Sequence, residues 1–310
     1  MLKRSAYRKI IIATLTLLII GLLYFFPDEK NEEINQSLSY VDVSTSPIYL
    51  IDMNNYVART NIIKNEEDPL KLAKEILESL IIDSEKSDYI PSGFEAIIPK
   101  NTKINNISLE DGLLKVDFSN NFLDVKNEDE EKMIEAIIYS LTEIKDIKGI
   151  MIFVEGNKLI KLKNSDKILP NILDRSYGIN KVYDLTSFKD TNSVTAYYLS
   201  KHDDSYYYVP ITKISNSKKE KIEIIIDELK TAPINQTNLI SFLATNAELT
   251  EYEILEDSIN LSFNNYVFDN FDKKTILEEV KYSVGLSLKD TYQVANVSFK
   301  VDGEEITTFN

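Results

Sequence analysis

Leu114-Lys115-Val116-Asp117-Phe118 alternates apolar and charged side chains without a break, and Ile259-Asn260-Leu261-Ser262-Phe263, 145 positions later, alternates apolar and polar ones. A period of two belongs to a strand with one face buried, because successive side chains leave a pleated backbone on opposite sides. Leu114, Val116 and Phe118 are therefore expected in a core, with Lys115 and Asp117 facing solvent or a neighbouring strand. The same register runs back without a gap, Ile97 through Asn120 matching Phe242 through Asn265. Asn101 meets Asn246, Ile104 meets Leu249, Ile107 meets Tyr252 and Leu109 meets Ile254. Few of these are identities; the apolar phase carries the match and marks an internal repeat.

Each copy repeats the same elements around that strand. Asp111-Gly112 is a hairpin turn signal, with Asp257-Ser258 as a weaker counterpart. Asp68-Pro69 suits a helix start, Asp as cap and Pro in the first turn. Ala73, Ile76, Leu77, Leu80 and Ile81 then form one apolar stripe. Its second-copy partner spans about Lys219 to Lys230. A further helix is predicted from Asn127, with Glu130 at capping-box spacing, and from Ile276 to Leu288 in the second copy. Strands are expected at Ile48–Ile51, Tyr56–Thr60 and Ile150–Val154, and again at Val194–Leu199, Tyr206–Ile211 and Val294–Val301. One-striped helices need a sheet to cover. The reading is α+β: two tandem copies of a two-layer sandwich, residues 47–160 and 193–310, joined by an ordered connection over 161–192.

The N-terminal part is different. Lys3, Arg4, Arg8 and Lys9 form a basic tail over residues 1–9, and an uncharged, mostly apolar run fills Ile10 to Phe26. That run is at the short end of the spanning range. The basic flank before it and Asp28-Glu29 after it predict an N-inside transmembrane anchor. A cleaved signal peptide is the competing reading, but Leu-Tyr-Phe-Phe-Pro offers no small-x-small site. Residues 27–46 read as a polar spacer, so the bulk of the chain is expected outside the cytoplasm, on the cell membrane.

Charge and composition narrow the chemistry. The 310 residues carry a net charge of −15 and include one His and no Cys. The basic tail is free of acids, which leaves −19 on the rest and argues against nucleic acid, whose phosphates need a basic footprint. Disulfides, thiolate metal sites and multi-His sites are excluded. His202 sits in the polar turn Ser200 to Ser205 and reads as an exposed turn residue. Glu128-Asp129-Glu130-Glu131 and the Asp269, Asn270, Asp272 group read as helix-start acids that favour the dipole. No catalytic, cofactor or metal-binding residue is assigned. Tyr206-Tyr207-Tyr208 is the candidate partner contact, although Tyr207 must face opposite to the other two.

At this level the chain resembles the GerM family of sporulation and spore-germination proteins, built from tandem GerMN domains. The resemblance covers roughly residues 46–310. It is carried by Ile98-Pro99-Lys100-Asn101-Thr102 and by Glu110 through Ser119, with Gly112, Val116 and Phe118 inside that run. Asn121-Phe122-Leu123 and Leu169 through Asn180 add to it. Leu261 and Phe263 hold the corresponding places in the second copy, which lacks the Pro and Gly of the motif. The resemblance implies a fold like the ring-building modules of secretion systems. It also implies a non-enzymatic protein between mother cell and forespore, with septal or forespore channel proteins as partners. Lipid attachment through an N-terminal Cys is not open to this chain, so Ile10–Phe26 is expected to replace it. Self-association into a homo-oligomer rests on fold analogy alone. The alternative is an envelope sensor or a ligand- or glycan-binding module with an aromatic-lined pocket near Tyr206 or Tyr177.

Overall fold

The computed structural model describes residues 13–18, 44–231 and 238–310. The chain divides into two units, Met1–Asp42 and Val43–Asn310. In the first, residues 13–18 are helical. The rest of the expected anchor, and the spacer up to residue 43, lie outside the described residues. No helix among the described residues is long and apolar enough to cross a membrane.

The second unit opens with a hairpin, β1 (Thr45–Asp52) and β2 (Val57–Ile63), followed by helix α1 (Pro69–Ser79). Asp68 accepts from the Lys71 main-chain N–H and Pro69 takes the first turn, so the helix starts where its free amides are first satisfied. After the short β3 (Phe94–Glu95) come β4 (Ile104–Glu110), β5 (Leu113–Phe118), α2 (Glu130–Leu141), β6 (Gly149–Val154) and β7 (Asn157–Lys158). The Asp111-Gly112 turn is real: both residues have positive φ, 50° and 79°, the backbone of the type I′ loop that best matches right-twisting strands. Helix α2 carries the chain back so that β6 runs parallel to β5.

The second copy repeats the plan. Beyond β8 (Val182–Asp184) it has β9 (Asn192–His202), β10 (Ser205–Ser215), α3 (Lys221–Lys230), β11 (Leu249–Ile254), β12 (Ser258–Phe263), α4 (Glu278–Tyr292), β13 (Asn296–Val301) and β14 (Glu304–Phe309). Strand β12 runs parallel to β13, as β5 does to β6. Leu114, Val116, Phe118, Ile259, Leu261 and Phe263 are all buried, as their alternation predicts. Pro99 is buried too, Asn101 is an exposed turn residue at φ 63°, and Gly112 is the second hairpin residue.

The fold is α+β with mixed sheets, but it differs from two separate sandwiches in one respect. The opening hairpins leave their own copies' sheets and join each other. A single six-stranded sheet runs β3-β1-β2-β10-β8, with β9 along the other side of β10. The remaining strands form one four-stranded sheet per copy, β4-β5-β6-β7 and β11-β12-β13-β14. Apolar alternation fixes which face a strand buries, whereas edge pairing is settled in the plane of the sheet by main-chain groups. That is why the fusion leaves no trace in the hydrophobic pattern. Among the described residues there are two hydrophobic cores, one for each copy, and they trade members across the fused sheet: Ala58 packs in the second and Tyr197 in the first.

Two local expectations are corrected. Helix α2 starts at Glu130, not Asn127, and Asp129 makes no side-chain cap. Glu130 instead accepts from the Asn164 and Ser165 amides and the Ser165 hydroxyl, holding the connection against the helix start. Helix α4 starts at Glu278, not Ile276, and Leu277 precedes it and is exposed.

Candidate functional site: the junction between the copies

The junction is built from equivalent residues of the two copies making equivalent contacts. On β1 the Tyr49 main-chain N–H donates to Ser140 Oγ of α2 at 2.8 Å. On β9 the Tyr197 N–H donates to Ser287 Oγ of α4 at 2.9 Å. Each serine lets a helix cover a strand edge without orphaning a buried amide. The two tyrosines then meet head to head, hydroxyl to hydroxyl, at 2.9 Å. Glu143 and Asp290, 147 positions apart like the serines, hold the next matching places.

Arg175, from the connection, lies between the acids. Its Nη2 reaches Glu143 at 2.8 Å and its Nη1 reaches Asp290 at 2.9 Å. The guanidinium also donates to Tyr197 Oη and Thr142 Oγ1 and lies over the Tyr139 ring, 4.8 Å from its centre. Burial works against the Glu143 charge, but Arg175 and Arg59 outweigh it and hold that carboxyl below the usual range. Burial wins at Asp290, whose carboxyl is pushed up despite Arg175. A planar, always-charged fork suits this position; an ammonium could not serve two carboxylates and two hydroxyls in one plane.

The same connection completes the fused sheet. Strands β2 and β10 are antiparallel, with Arg59 opposite Tyr208. One step along, Pro210 has no N–H to give. Asn180 fills the gap: its Oδ1 accepts from the Val57 N–H, and its Nδ2 donates to the Val57 and Pro210 carbonyls. Glu135 in turn accepts from the Asn180 N–H and pairs with Lys181.

The tyrosine triplet is redistributed. Tyr207 is buried and is no surface contact: its hydroxyl donates to Asp52 at 2.8 Å, tying β10 to the first copy's hairpin turn, and its ring packs edge-on against Phe94. Burial and that carboxylate push its hydroxyl up to about 12. Tyr208 is half-buried and stacks on Tyr282 of α4. Tyr206 alone of the three is exposed, edge-on to Phe242. His202 is not free in its turn: Nε2 lies 3.3 Å from Ser92 Oγ, and the ring covers Gly93. A hollow of about 760 Å³ lies on the first copy, but none of its lining residues is aromatic. Among the described residues no group of acids and His could hold a metal ion.

The roles of Arg175 and Asn180 were missed from sequence, although both stand in the quoted run Leu169 to Asn180. The available signal was a cation and an amide in a stretch whose Leu169, Leu173 and Ile179 are apolar enough to be core.

Comparison with known proteins decides the family. A family model described as Germane, sporulation and spore germination, matches residues 23–160 and 195–307. The chain belongs to that family. Spore germination protein GerM of Bacillus subtilis (strain 168) is 34% identical over 289 residues, covering 89% of this chain and 77% of that protein. The solved tandem GerMN domains of the sporulation protein GerM from Bacillus subtilis match with a TM-score of 0.77 at 31% identity, over 84% of this chain and 92% of that one. The fold is thus that of tandem GerMN domains, and membership gives the chain a sporulation-related role. The two family matches leave out 161–194, the stretch that holds Arg175 and Asn180.

Proposed function

We propose that this Germane-family chain is a non-enzymatic, membrane-anchored scaffold of sporulation and germination, working outside the cytoplasm by binding other proteins. The observation that supports this best is the use made of buried charge. Glu143, Asp290 and Arg175 join the copies, Glu135 and Lys181 hold the connection, and Glu130 caps it. Buried ions cost several kcal/mol each unless paired, and here that cost goes into fixing segments relative to one another. Such a body presents its surfaces at a set angle, which suits a spacer or assembly factor. In this reading the Ile10–Phe26 run supplies the anchor, and the polar sequence between it and β1 serves as the spacer. The partners are septal proteins or those of the channel between mother cell and forespore.

Crosslinked pull-down of the tagged chain from sporulating cells, beside vegetative cells, tests the association. Recovery of septal or forespore membrane proteins from the sporulating sample alone is expected. The same proteins from both samples, or substrate turnover by the purified chain, would overturn the reading. Carbonate extraction tests the anchor: the chain should stay with the membrane pellet.

A further inference from the structure

The hollow on the first copy lies between the start of α2, the segment after α1 and β3. Its floor is apolar, formed by Ile51, Ile97, Pro99 and Val125, with Ile82 at the edge. Five carboxylates line it: Asp83, Glu95, Asp124, Glu128 and Asp129. Among the described residues, none of the five side chains accepts a hydrogen bond or forms an ion pair. The buried and half-buried acids Glu75, Glu130, Glu131, Glu135 and Glu143 are all taken up by partners, whereas exposed acids such as Glu248, Glu251 and Glu256 are unpaired like these five; what sets the five apart is that they ring an apolar floor. Acids in a first helical turn need no explanation beyond the helix dipole, but Asp83 and Glu95 come from other elements. Two lining lysines, Lys100 and Lys126, leave a net charge of −3 around the floor; Lys132, in the adjoining hollow, acts on Asp129 and Glu128, and with Lys181 it offsets Glu131 and Glu135 there, so the sum over both hollows is still −3. A second hollow of about 410 Å³ shares Asn55 and Glu128 with the first and extends the groove toward Tyr56 and Tyr183. The matching stretch of the second copy is unlike it. There Asp269, Asp272, Lys273 and Lys274 cancel in charge around an exposed Phe271, which packs edge-on against Tyr266 and Phe268.

We infer that this groove docks a basic segment of a partner protein, with an apolar side chain on the Ile97–Pro99 floor and Lys or Arg side chains on the five free carboxylates. The inference rests on the association reading and deepens it by naming the surface and the partner's chemistry. Charge complementarity selects the occupant. A second copy of this chain brings −15 to an already acidic rim, and like charge facing like charge is costly. A basic segment gains steering toward the groove and burial on its floor.

The test uses the full chain in detergent and two labelled peptides, Leu-Lys-Leu-Lys-Leu-Lys and Leu-Glu-Leu-Glu-Leu-Glu, followed by fluorescence anisotropy. Saturable binding of the basic peptide only, weakening as salt rises, is expected. Glu95→Lys, Asp124→Lys and Glu128→Lys together should weaken it about ten-fold or more. Glu248→Lys, Glu251→Lys and Glu256→Lys, an equal change on exposed acids of the second copy, should alter it by less than about two-fold. The neutral set Glu95→Gln, Asp124→Asn and Glu128→Gln should fall between, which guards against a reversed triple that folds poorly. Equal losses in both lysine triples would show attraction to the acidic surface at large and overturn the proposal. No binding of the basic peptide, or self-association abolished by the groove triple, would overturn it too. Loss of septal partners in the pull-down with peptide binding intact would sink the sporulation reading alone. Partners retained with no peptide binding would sink only the groove.

Discussion

The two copies reach the same sheet by different local means. The first copy turns between β4 and β5 on Asp111-Gly112 with both backbones left-handed; the second turns between β11 and β12 on Glu256-Asp257, neither with positive φ. The first stacks Phe118 on Phe122 at 4.5 Å, while the second has Val267 in the place of Phe122 and rests Phe263 on Phe299. In the first the outer edge of β6 is shared between the two-residue β7, at Phe153 and Val154, and Leu173 of the connection, which exchanges two main-chain hydrogen bonds with Ile150; the second closes β13 with one full strand, β14. What is kept is the phase of the apolar side chains and the serine that ties a helix to the strand edge. Turn residues, aromatic pairs and edge covers have been exchanged for others that satisfy the same groups.

That comparison can be broken most strongly in the cores. Phe118→Ala removes a fully buried ring together with its stack and should cost about 3–5 kcal/mol. Phe263→Ala should cost less than Phe118→Ala, because one ring contact at 6.3 Å replaces one at 4.5 Å. Chemical denaturation of both variants checks the order, and a larger loss at Phe263 would contradict it. Arg175→Ala comes next. It takes the cation from Asp290 and leaves Glu143 with Arg59 at 3.7 Å and the Tyr49 hydroxyl, and breaking a buried pair in this way costs about 3 kcal/mol or more. Gly112→Ala should lose about 1–2 kcal/mol, because a Cβ is strained at φ 79°. Asp257→Ala, which keeps ordinary φ, should lose less.

The smallest effect is a pH dependence. Glu143 has its folded value held down, so the stability it contributes is fully present above the ordinary Glu value of about 4.3. It is lost as pH falls through the lower folded value. Asp290 has the opposite sign: its folded value is raised, so keeping it charged costs stability at neutral pH, and protonation on the way down relieves that cost. The stability gap between the native chain and Glu143→Gln should therefore shrink below about pH 4.3. The gap for Asp290→Asn should move with the opposite sign, the native chain gaining on the variant as Asp290 takes up its proton. Denaturation midpoints between pH 3 and 7 read both; a Glu143→Gln gap that widens on acidification would show the sign is wrong.

Much of this fold was legible in the chain, and the reason is physical. Period-two and helical stripes at Leu114–Phe118, Ile259–Phe263 and Ala73–Ile81 report which face meets the core, and burial is the largest favourable term. The residues that set the junction were hidden because their partners are distant in sequence and polar. Tyr49 and Tyr197 look like ordinary strand tyrosines until their hydroxyls meet. Ser140 and Ser287 look like neutral helix residues until a strand amide points at them. Tyr207, a candidate surface residue, proves to be an internal tie, since a β-strand alternates its faces and the neighbouring hairpin turn supplies Asp52. Of the groove acids, Glu128 and Asp129 look in sequence like part of a helix start, and Asp83, Glu95 and Asp124 join them through the fold alone.

The account turns on the two copies being one rigid body rather than two beads. The chain has no cysteine, so Lys115→Cys on the first copy's sheet and Asn260→Cys on the second's give a clean pair for spin labels. Pulsed dipolar spectroscopy on the full chain should return one narrow distance distribution, broadening when Arg175→Ala is added. A broad or multi-peaked distribution in the otherwise native chain would contradict the account.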